Sequence, residues 1–281
     1  MDIGTYTSDE LSNEQYHSGA GISNSGLKLI GSKTPLHFWA QYIDPDRSSK
    51  HRQTRPQMIG TATHAAALEP DKFEDEYVVG DYTARNAAGF KAWSKEQDKE
   101  ILLAHEYQNV IAMRRALWKH KTARALLADA WQFEYSVFAR DPITDILCRV
   151  RHDLFTNTGW IVDLKKTQDA SPKAVSKTIY NFGYHHQQAF YLDVSQWGGI
   201  EPKGFAFIFI EEQPPHAIGV YVVERQDVSR GRKQYRNNLN LYARCLERDE
   251  WPGYEEKPQQ IGIPYWGRRD IDNEDQELHH D

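Results

Sequence analysis

The spacing of hydrophobic positions changes near residue 130. Between residues 91 and 130 apolar side chains recur every three or four positions, which predicts the longest helical region of the chain. Beyond it, short β-branched and aromatic runs separated by turn residues predict a three-stranded meander, with strands at 133–140, 146–155 and 160–165. The elements predicted after the meander are helices at 171–179 and 184–196, strands at 205–210 and 218–223, and a helix at 229–248.

The N-terminal part predicts helices only. They lie at 25–30, at 35–42 and in the small-residue segment GTATHAAALEP, which Pro70 ends. Helices followed by strands, then helices and strands again, without an internal repeat, predict an α/β fold with a mixed sheet. We expect one domain over residues 1–269, with a helical part to about residue 130 and a sheet core from about 131 to 250. An acidic, disordered tail would follow at 270–281.

Composition places the chain among globular proteins. Of its 281 residues, 40% are hydrophobic and 26% are charged, and no segment has the length and apolar character of a membrane span or a secretory signal. Cys148 and Cys245 lie far apart and form no CxxC motif, which leaves a disulfide framework, a four-cysteine zinc site and an iron–sulfur cluster unsupported. We therefore expect a cytoplasmic protein that is not bound to a membrane.

The charge is unevenly distributed. The net charge is −6, but residues 270–281 contain six acidic residues and no Lys or Arg, so the rest of the chain is neutral. Two segments, 114–124 and 225–236, each carry five cations. Such runs follow DNA phosphates in some proteins and form solvated helix faces in others, and the sequence leaves both readings open.

The meander carries the chemistry. Asp163 and Lys165 are two residues apart on a predicted strand, so they project from the same face while Leu164 turns to the core. A short hairpin would bring Asp153 beside them. Two converging carboxylates suit Mg²⁺, and a neighbouring lysine with a lowered pKa can orient or deprotonate a water, which predicts metal-assisted phosphodiester hydrolysis. The alternative for an isolated D-x-K triplet is a surface ion pair.

Four further residues strengthen the first reading. His64 is conspicuous in a helix of small residues, and Gln187 and Tyr191 share one helix face, where they can reach a phosphate or a base. Glu134 lies on the first strand of the meander and can face the same cleft. Each of them also has a purely structural explanation when taken alone.

The order of these residues resembles that of the PD-(D/E)XK nuclease superfamily. Within it, GTATHAAALEP, the Asp153-to-Asp163 spacing and the segment QQAFY are most similar to the RecB-like exonucleases, and among those to the RecE-like (exonuclease VIII) nuclease domain of prophages. The similarity covers roughly residues 15 to 250, and His152 stands where the usual signature has proline. The resemblance implies a restriction-endonuclease-like core, a central mixed sheet flanked by helices.

The resemblance also implies roles for individual residues. His64, Asp153, Asp163 and the backbone carbonyl of Leu164 would hold Mg²⁺, with Mn²⁺ able to substitute, and Lys165 would position the attacking water. Gln187 and Tyr191 would place the scissile strand. Lys166 and Thr167 follow the catalytic lysine directly, and we expect them to contact backbone phosphates. Glu134 is a catalytic candidate without an assigned role.

The activity implied is Mg²⁺-dependent exonucleolytic digestion of linear double-stranded DNA from 5′ to 3′. The partner implied is a RecT-like single-strand annealing protein, which would take up the 3′ strand, and the assembly implied is a homo-oligomeric ring. The alternative is a catalytically inactive nuclease-fold module that binds DNA or a recombination partner. The presence of His64, Asp153, Asp163 and Lys165 together favours the active enzyme.

Overall fold

The structure is a computed structural model that describes residues 2–47, 54–265 and 268. Its strands are β1 Gly4–Tyr6, β2 Ile22–Ser23, β3 Tyr77–Gly80, β4 Glu100–Leu103, β5 Ala130–Arg140, β6 Leu147–Thr156, β7 Trp160–Thr167, β8 Gly204–Glu211 and β9 Ile218–Tyr221. Its helices are α1 Asn13–Ser18, α2 Asn24–Ser32, α3 Pro35–Tyr42, α4 Arg55–Leu68, α5 Pro70–Glu76, α6 Phe90–Trp93, α7 Ala104–Lys119, α8 Lys121–Ala128, α9 Pro172–Asn181, α10 Tyr184–Trp197 and α11 Arg225–Arg248. The predicted tail at 270–281 lies outside the described residues.

A mixed sheet forms the centre of the fold. Its order is β1-β5-β6-β7-β8-β9, and β2 lies off this path and pairs in parallel with β6. The meander β5-β6-β7 is antiparallel, β7 and β8 run parallel, and β9 returns antiparallel to β8. The parallel step from β7 to β8 is made possible by α9 and α10, which cross over one face of the sheet.

Helices cover both faces of the sheet. On one face α2, α10 and α11 bury Leu27, Phe190 and Tyr235 against the Phe side chains of β8. On the other face α4 and α7 bury Ala62 and Met113 against the outward side chains of β7 and β8. The architecture is therefore α/β with a mixed sheet between helical layers, and the predicted fold class is confirmed.

The predicted helix at 35–42 has the same bounds as α3, with Thr34 preceding it and Pro35 in its first turn. The prediction of a continuous helical region at 91–130 is wrong. The run of apolar residues in β4 forms a strand that pairs in parallel with β3, and this strand separates the short helix α6 from α7 and α8. The longest helix among the described residues is α11, with 24 residues.

Within the described residues, no helix combines the length and the hydropathy that crossing a membrane requires.

Candidate active site

The site lies where β6 and β7 separate. The two strands pair only at Leu154–Val162 and Phe155–Ile161, so they diverge on the other side of this pairing. The carboxylate of Asp153 lies in the fork and accepts a hydrogen bond of 2.8 Å from the backbone N–H of Leu164. The hairpin thus brings Asp153 and the Asp163–Lys165 segment together. Because β6 and β7 no longer pair at this point, the side chain of Asp153 provides the hydrogen-bond acceptor for the backbone N–H of Leu164.

Helix α4 supplies His64 to this fork. Its buried positions are small, with Ala62, Thr63 and Ala66 fully buried, so the helix backbone packs closely on the protein. His64 Nδ1 lies 3.4 Å from Asp153 Oδ2. Gly60, one turn before His64 on the same face of α4, borders open space, since a Cβ atom at this position would meet no atom within 4 Å.

Strand β5 adds Glu134. Phe133 pairs with Leu154 and Tyr135 with His152, so Glu134 lies opposite Asp153 in the β5–β6 register. It has a positive φ of 46°, an uncommon value for a residue other than glycine, which marks a local distortion of the strand. Ligand atoms of His64, Glu134 and Asp153 all lie within 4.8 Å of one another.

The pKa of Glu134 reflects this crowding. Burial and the nearby Asp153 carboxylate raise it to about 8, against the weaker opposing effect of Arg151. A cation placed between Glu134 and Asp153 would stabilise the ionised form of the Glu134 carboxyl, which is costly to form here without one. Since carboxylate oxygens and an imidazole nitrogen converge here, the residues present fit a divalent metal ion.

Asp163 lies beside this cluster, on the face of β7 toward α10. Lys165 Nζ lies 2.6 Å from Asp163 Oδ2, and Gln187 Nε2 donates a hydrogen bond to Asp163 Oδ1. Burial and Asp153 raise the pKa of Asp163 to about 6, although Lys165 opposes the shift. The structure thus brings His64, Asp153, Asp163 and Lys165 into one constellation, with Glu134 in a more central position than the sequence suggested.

The carboxylates beside Lys165 act against the expected lowering of its pKa. Burial alone would lower this pKa, but the carboxylates of Asp163 and Asp153 outweigh it, so the pKa lies above its ordinary value. The ammonium form is therefore the one that the site holds. Its Nζ also lies 5.1 Å from the centre of the Tyr184 ring, which fixes a second side of the group.

Two of the residues predicted to contact DNA have other partners in the structure. Gln187 is buried and donates to Asp163, so it orients that carboxylate rather than the DNA strand. Lys166 projects from the opposite face of β7 from Lys165, because successive side chains of a strand alternate. Its Nζ is paired with Glu212 at 2.6 Å, and only 13% of the side chain is exposed, so it is not available to a phosphate at the site.

Tyr191 and Thr167 differ from each other in position. Tyr191 lines the cleft next to Asp153, where a substrate can reach it. Thr167 lies on the same face of β7 as Asp163, and its hydroxyl donates to the backbone carbonyl of Asp169 in the turn that follows the strand. As DNA contacts, both remain predictions.

A cleft of about 540 Å³ opens beside the cluster, and it includes residues that the sequence reasoning missed. Arg151 is buried, donates to Ser136 and to the carbonyl of Leu11, and lies 4.5 Å above the Tyr16 ring. Glu69 and Lys72 form an ion pair at the same cleft. Arg151 is two residues from Asp153 on one strand, a spacing that could have identified it.

The cationic run on α11 is largely structural. Arg230, Arg232 and Arg236 form ion pairs, in that order, with Asp227, Asp193 and Asp141. The Arg236 partner, Asp141, is fully buried at its side chain, so this pair anchors α11 to the turn after β5. In contrast, Arg115, Lys119, Lys121 and Arg124 of the other run are exposed.

Comparison with known proteins adds a family and a fold. A family model described as a PDDEXK-like domain of unknown function (DUF3799) matches residues 23–261. The structure is similar to that of a protein from Eubacterium rectale assigned as an exonuclease, with a TM-score of 0.64 and 14% identity over 92% of this chain and 96% of that chain. A phage related exonuclease from Haemophilus somnus 129PT gives a TM-score of 0.33 and 10% identity over 82% of this chain and 96% of that one. None of the curated proteins matches the chain. At such identity the first likeness shows the fold alone.

Proposed function

Since the chain belongs to the PDDEXK-like family DUF3799, we propose that it is a divalent-metal-dependent nuclease whose active site lies at the fork between β6 and β7. The resemblance to the PD-(D/E)XK superfamily is thereby confirmed, while the closer resemblance to RecE-like domains stays a prediction. The observation that carries the proposal is the convergence of His64, Glu134 and Asp153 beside the Asp163–Lys165 pair.

Each residue of the site has a chemical role in this proposal. His64, Asp153 and Asp163 would hold the metal, as would Glu134, which the sequence left without a role, and the carbonyl of Leu164 stays a predicted ligand. A bound Mg²⁺ or Mn²⁺ would polarise the scissile phosphate and favour ionisation of the attacking water. Lys165 holds a positive charge at the place where a phosphate or a water would lie.

Gln187 acts on Asp163. Its amide fixes one carboxylate oxygen, so that Asp163 presents a defined orientation to the cluster. Tyr191 lines the cleft and would help place the scissile strand. These two residues explain why an amide and a phenol share one face of α10: one supports the acid, and the other faces the substrate.

We propose linear double-stranded DNA as the substrate, digested exonucleolytically from the 5′ end with Mg²⁺. The polarity rests on the resemblance to RecE-like domains, as do the RecT-like annealing partner and the homo-oligomeric ring. A site built to hold metal, water and a phosphate favours this function over the inactive binding module, because an inactive module has no need of a lysine held between Asp163 and Tyr184.

The test follows end-labelled DNA over time. Linear duplexes labelled at one 5′ or one 3′ end, together with a closed circular duplex, are incubated with the protein and Mg²⁺. We expect early release of the 5′ label as mononucleotides, late loss of the 3′ label and an intact circle. Release of the 3′ label first would reverse the polarity, and uncut DNA in every arm would support the binding module.

Matched variants connect the activity to the site. Asp163→Ala and Lys165→Ala should abolish cleavage and leave the thermal unfolding midpoint above the assay temperature. Lys166→Ala is the control, because it removes the same charge from the adjacent position on the opposite face of β7. Equal loss of activity in Lys165→Ala and Lys166→Ala, with both proteins folded, would contradict the assigned site.

A further inference from the structure

One exposed aromatic side chain lies next to the site and has no role in the function described so far. Phe182, in the short connection between α9 and α10, is 57% exposed. Large apolar side chains exposed singly are common, so exposure alone carries no conclusion. The surroundings of Phe182 distinguish it from the other exposed aromatic residues.

Phe182 is stacked on a ring that contacts the proposed catalytic lysine. The Phe182 and Tyr184 rings lie 5.9 Å apart with an interplanar angle of 19°. Tyr184 in turn packs on Phe207 of the sheet, with ring centres 5.5 Å apart, and its ring lies 5.1 Å from Lys165 Nζ. The two separations together put the Phe182 ring within 11.0 Å of Lys165 Nζ.

The backbone of this connection is fixed. Gly183 between the two rings has a φ of 63°, a left-handed conformation that favours glycine, and this turn lets Phe182 and Tyr184 point to the same side. Lys28 of α2 donates a hydrogen bond to the carbonyl of Phe182. The ring is therefore presented on a supported turn, with the Lys28 ammonium at its backbone carbonyl and the Lys165 ammonium at the neighbouring Tyr184 ring.

We propose, on the basis of the nuclease function above, that Phe182 and Tyr184 form a stacking platform for an unpaired base of the DNA strand being cut. An aromatic face flanked by ammonium groups is the pattern that proteins use to bind single strands, since each base offers a π-face and each nucleotide a phosphate. At about 3.4 Å of rise per stacked nucleotide, the platform lies within roughly three nucleotides of a phosphate at Lys165. A base at that distance is free to stack on the platform only where the duplex is open.

The platform therefore predicts the state in which the DNA strand is bound. The strand near the cut is held unpaired, so single-stranded DNA should bind at this place without the cost of opening a duplex. Removal of the platform should weaken binding of the single strand by roughly 5- to 150-fold, the range expected for one base stacked on an aromatic ring. For a duplex substrate, removal of the platform should raise the Michaelis constant and slow the start of digestion at the DNA end.

The experiment places the fluorescent base 2-aminopurine at successive positions from the 5′ end of a single strand and of a duplex. Binding is measured with Ca²⁺ in place of Mg²⁺, and cleavage is measured separately with Mg²⁺. For the wild type we expect quenching by stacking, confined to a window within about three nucleotides of the bond that is cut. Phe182→Ala should lose this quenching and raise the Michaelis constant, and Phe182→Trp should restore both.

Tyr180→Ala is the matched control. Tyr180 is two residues away and 75% exposed, but its ring is stacked on His185 and not on Tyr184. This variant should keep the quenching window and the cleavage rate. A second control is the oligomeric state of Phe182→Ala, measured by sedimentation, which should equal that of the wild type.

The outcomes separate this inference from the proposed function. If the wild type cleaves DNA and Phe182→Ala keeps the same quenching and the same Michaelis constant, the platform is refuted and the nuclease stands. If Phe182→Ala changes the oligomeric state and leaves DNA binding unchanged, the ring serves contact with a second copy of the chain, and the platform is again refuted. If the wild type binds single strands with a local, Phe182-dependent quenching window but never cleaves, the nuclease proposal fails and the platform is a DNA-binding site.

Discussion

The crowding of carboxyl groups around the proposed metal site should appear as a pH-dependent loss of stability in the metal-free protein. Glu134 lies opposite Asp153, and its pKa is raised from 4.5 to about 8, first by burial and then by that neighbour. Replacement of Glu134 by glutamine keeps the size and the backbone strain of the residue but removes its ionisation. The variant therefore isolates the electrostatic cost of the acid.

The sign follows from proton binding in the two states. A carboxyl with a raised pKa keeps its proton in the folded state at a pH at which the unfolded chain has lost it. Glu134 thus leaves stability intact below pH 4.5 and lowers it as the pH rises from 4.5 to 8. Between pH 5 and pH 7 linkage, reduced by the partial exposure of the side chain, gives a fall of about 2 kcal/mol in the free energy of unfolding.

The assay is urea unfolding of the wild type and of Glu134→Gln at pH 5 and pH 7, with a chelator present. We expect the stability of the variant relative to the wild type to rise by about 2 kcal/mol from pH 5 to pH 7. Glu76→Gln is the comparison variant, because burial also raises the pKa of this carboxyl but Asp153 does not contribute to the shift, so its pH-dependent gain should be smaller than that of Glu134→Gln. A difference between wild type and Glu134→Gln that does not change with pH would refute the electrostatic argument.

Three further predictions concern the rest of the structure. Gly231→Ala should destabilise the protein by about 1–3 kcal/mol in urea unfolding, because the added Cβ would clash with the backbone carbonyl oxygen of His185 and push α11 away from α10. An unchanged urea midpoint would contradict this packing. Gly60→Ala should instead stabilise the protein by about 0.5–1 kcal/mol, since its Cβ meets nothing and alanine favours the helix, and a loss of stability would show that this face of α4 is not open. Burial lowers the pKa of His152 to about 3, so below about pH 6.5 the unfolded chain binds a proton at this residue and the folded protein does not. From pH 7 to pH 5 the free energy of unfolding of the wild type should therefore fall by about 2 kcal/mol more than that of His152→Gln. Equal losses would disprove the buried neutral ring.

The sequence predicted the hairpin that carries the proposed active site because the signals of this hairpin are local. Alternating side chains place Asp163 and Lys165 on one face and Leu164 in the core, and the short turn at 157–159 leaves little choice for the position of Asp153. The same alternation puts Lys166 on the opposite face of β7 from Lys165, and the structure pairs it there with Glu212. Gln187 illustrates a different limit, since only the packing of α10 on the sheet shows that its amide is used by Asp163.

Other features depend on contacts that no local pattern reveals. Strands β1 and β2 have three and two residues, too few for a period-two pattern, and they form only because β5 and β6 offer edges to pair with. The position of Glu134 depends on a distortion of β5 that turns its side chain toward Asp153. The cleft, for its part, is completed by Tyr16 of α1, more than a hundred residues away from Asp153 in sequence.

The most direct test of the central claim is the position of the metal. A crystal grown with Mn²⁺ and measured at the manganese absorption edge shows by anomalous scattering where the ion lies. We predict a peak in the fork between β6 and β7, in contact with His64 and Asp153 and with a carboxylate of Glu134 or Asp163. A protein that cleaves DNA with Mn²⁺ but holds its ion elsewhere, with these side chains unliganded, would contradict the account.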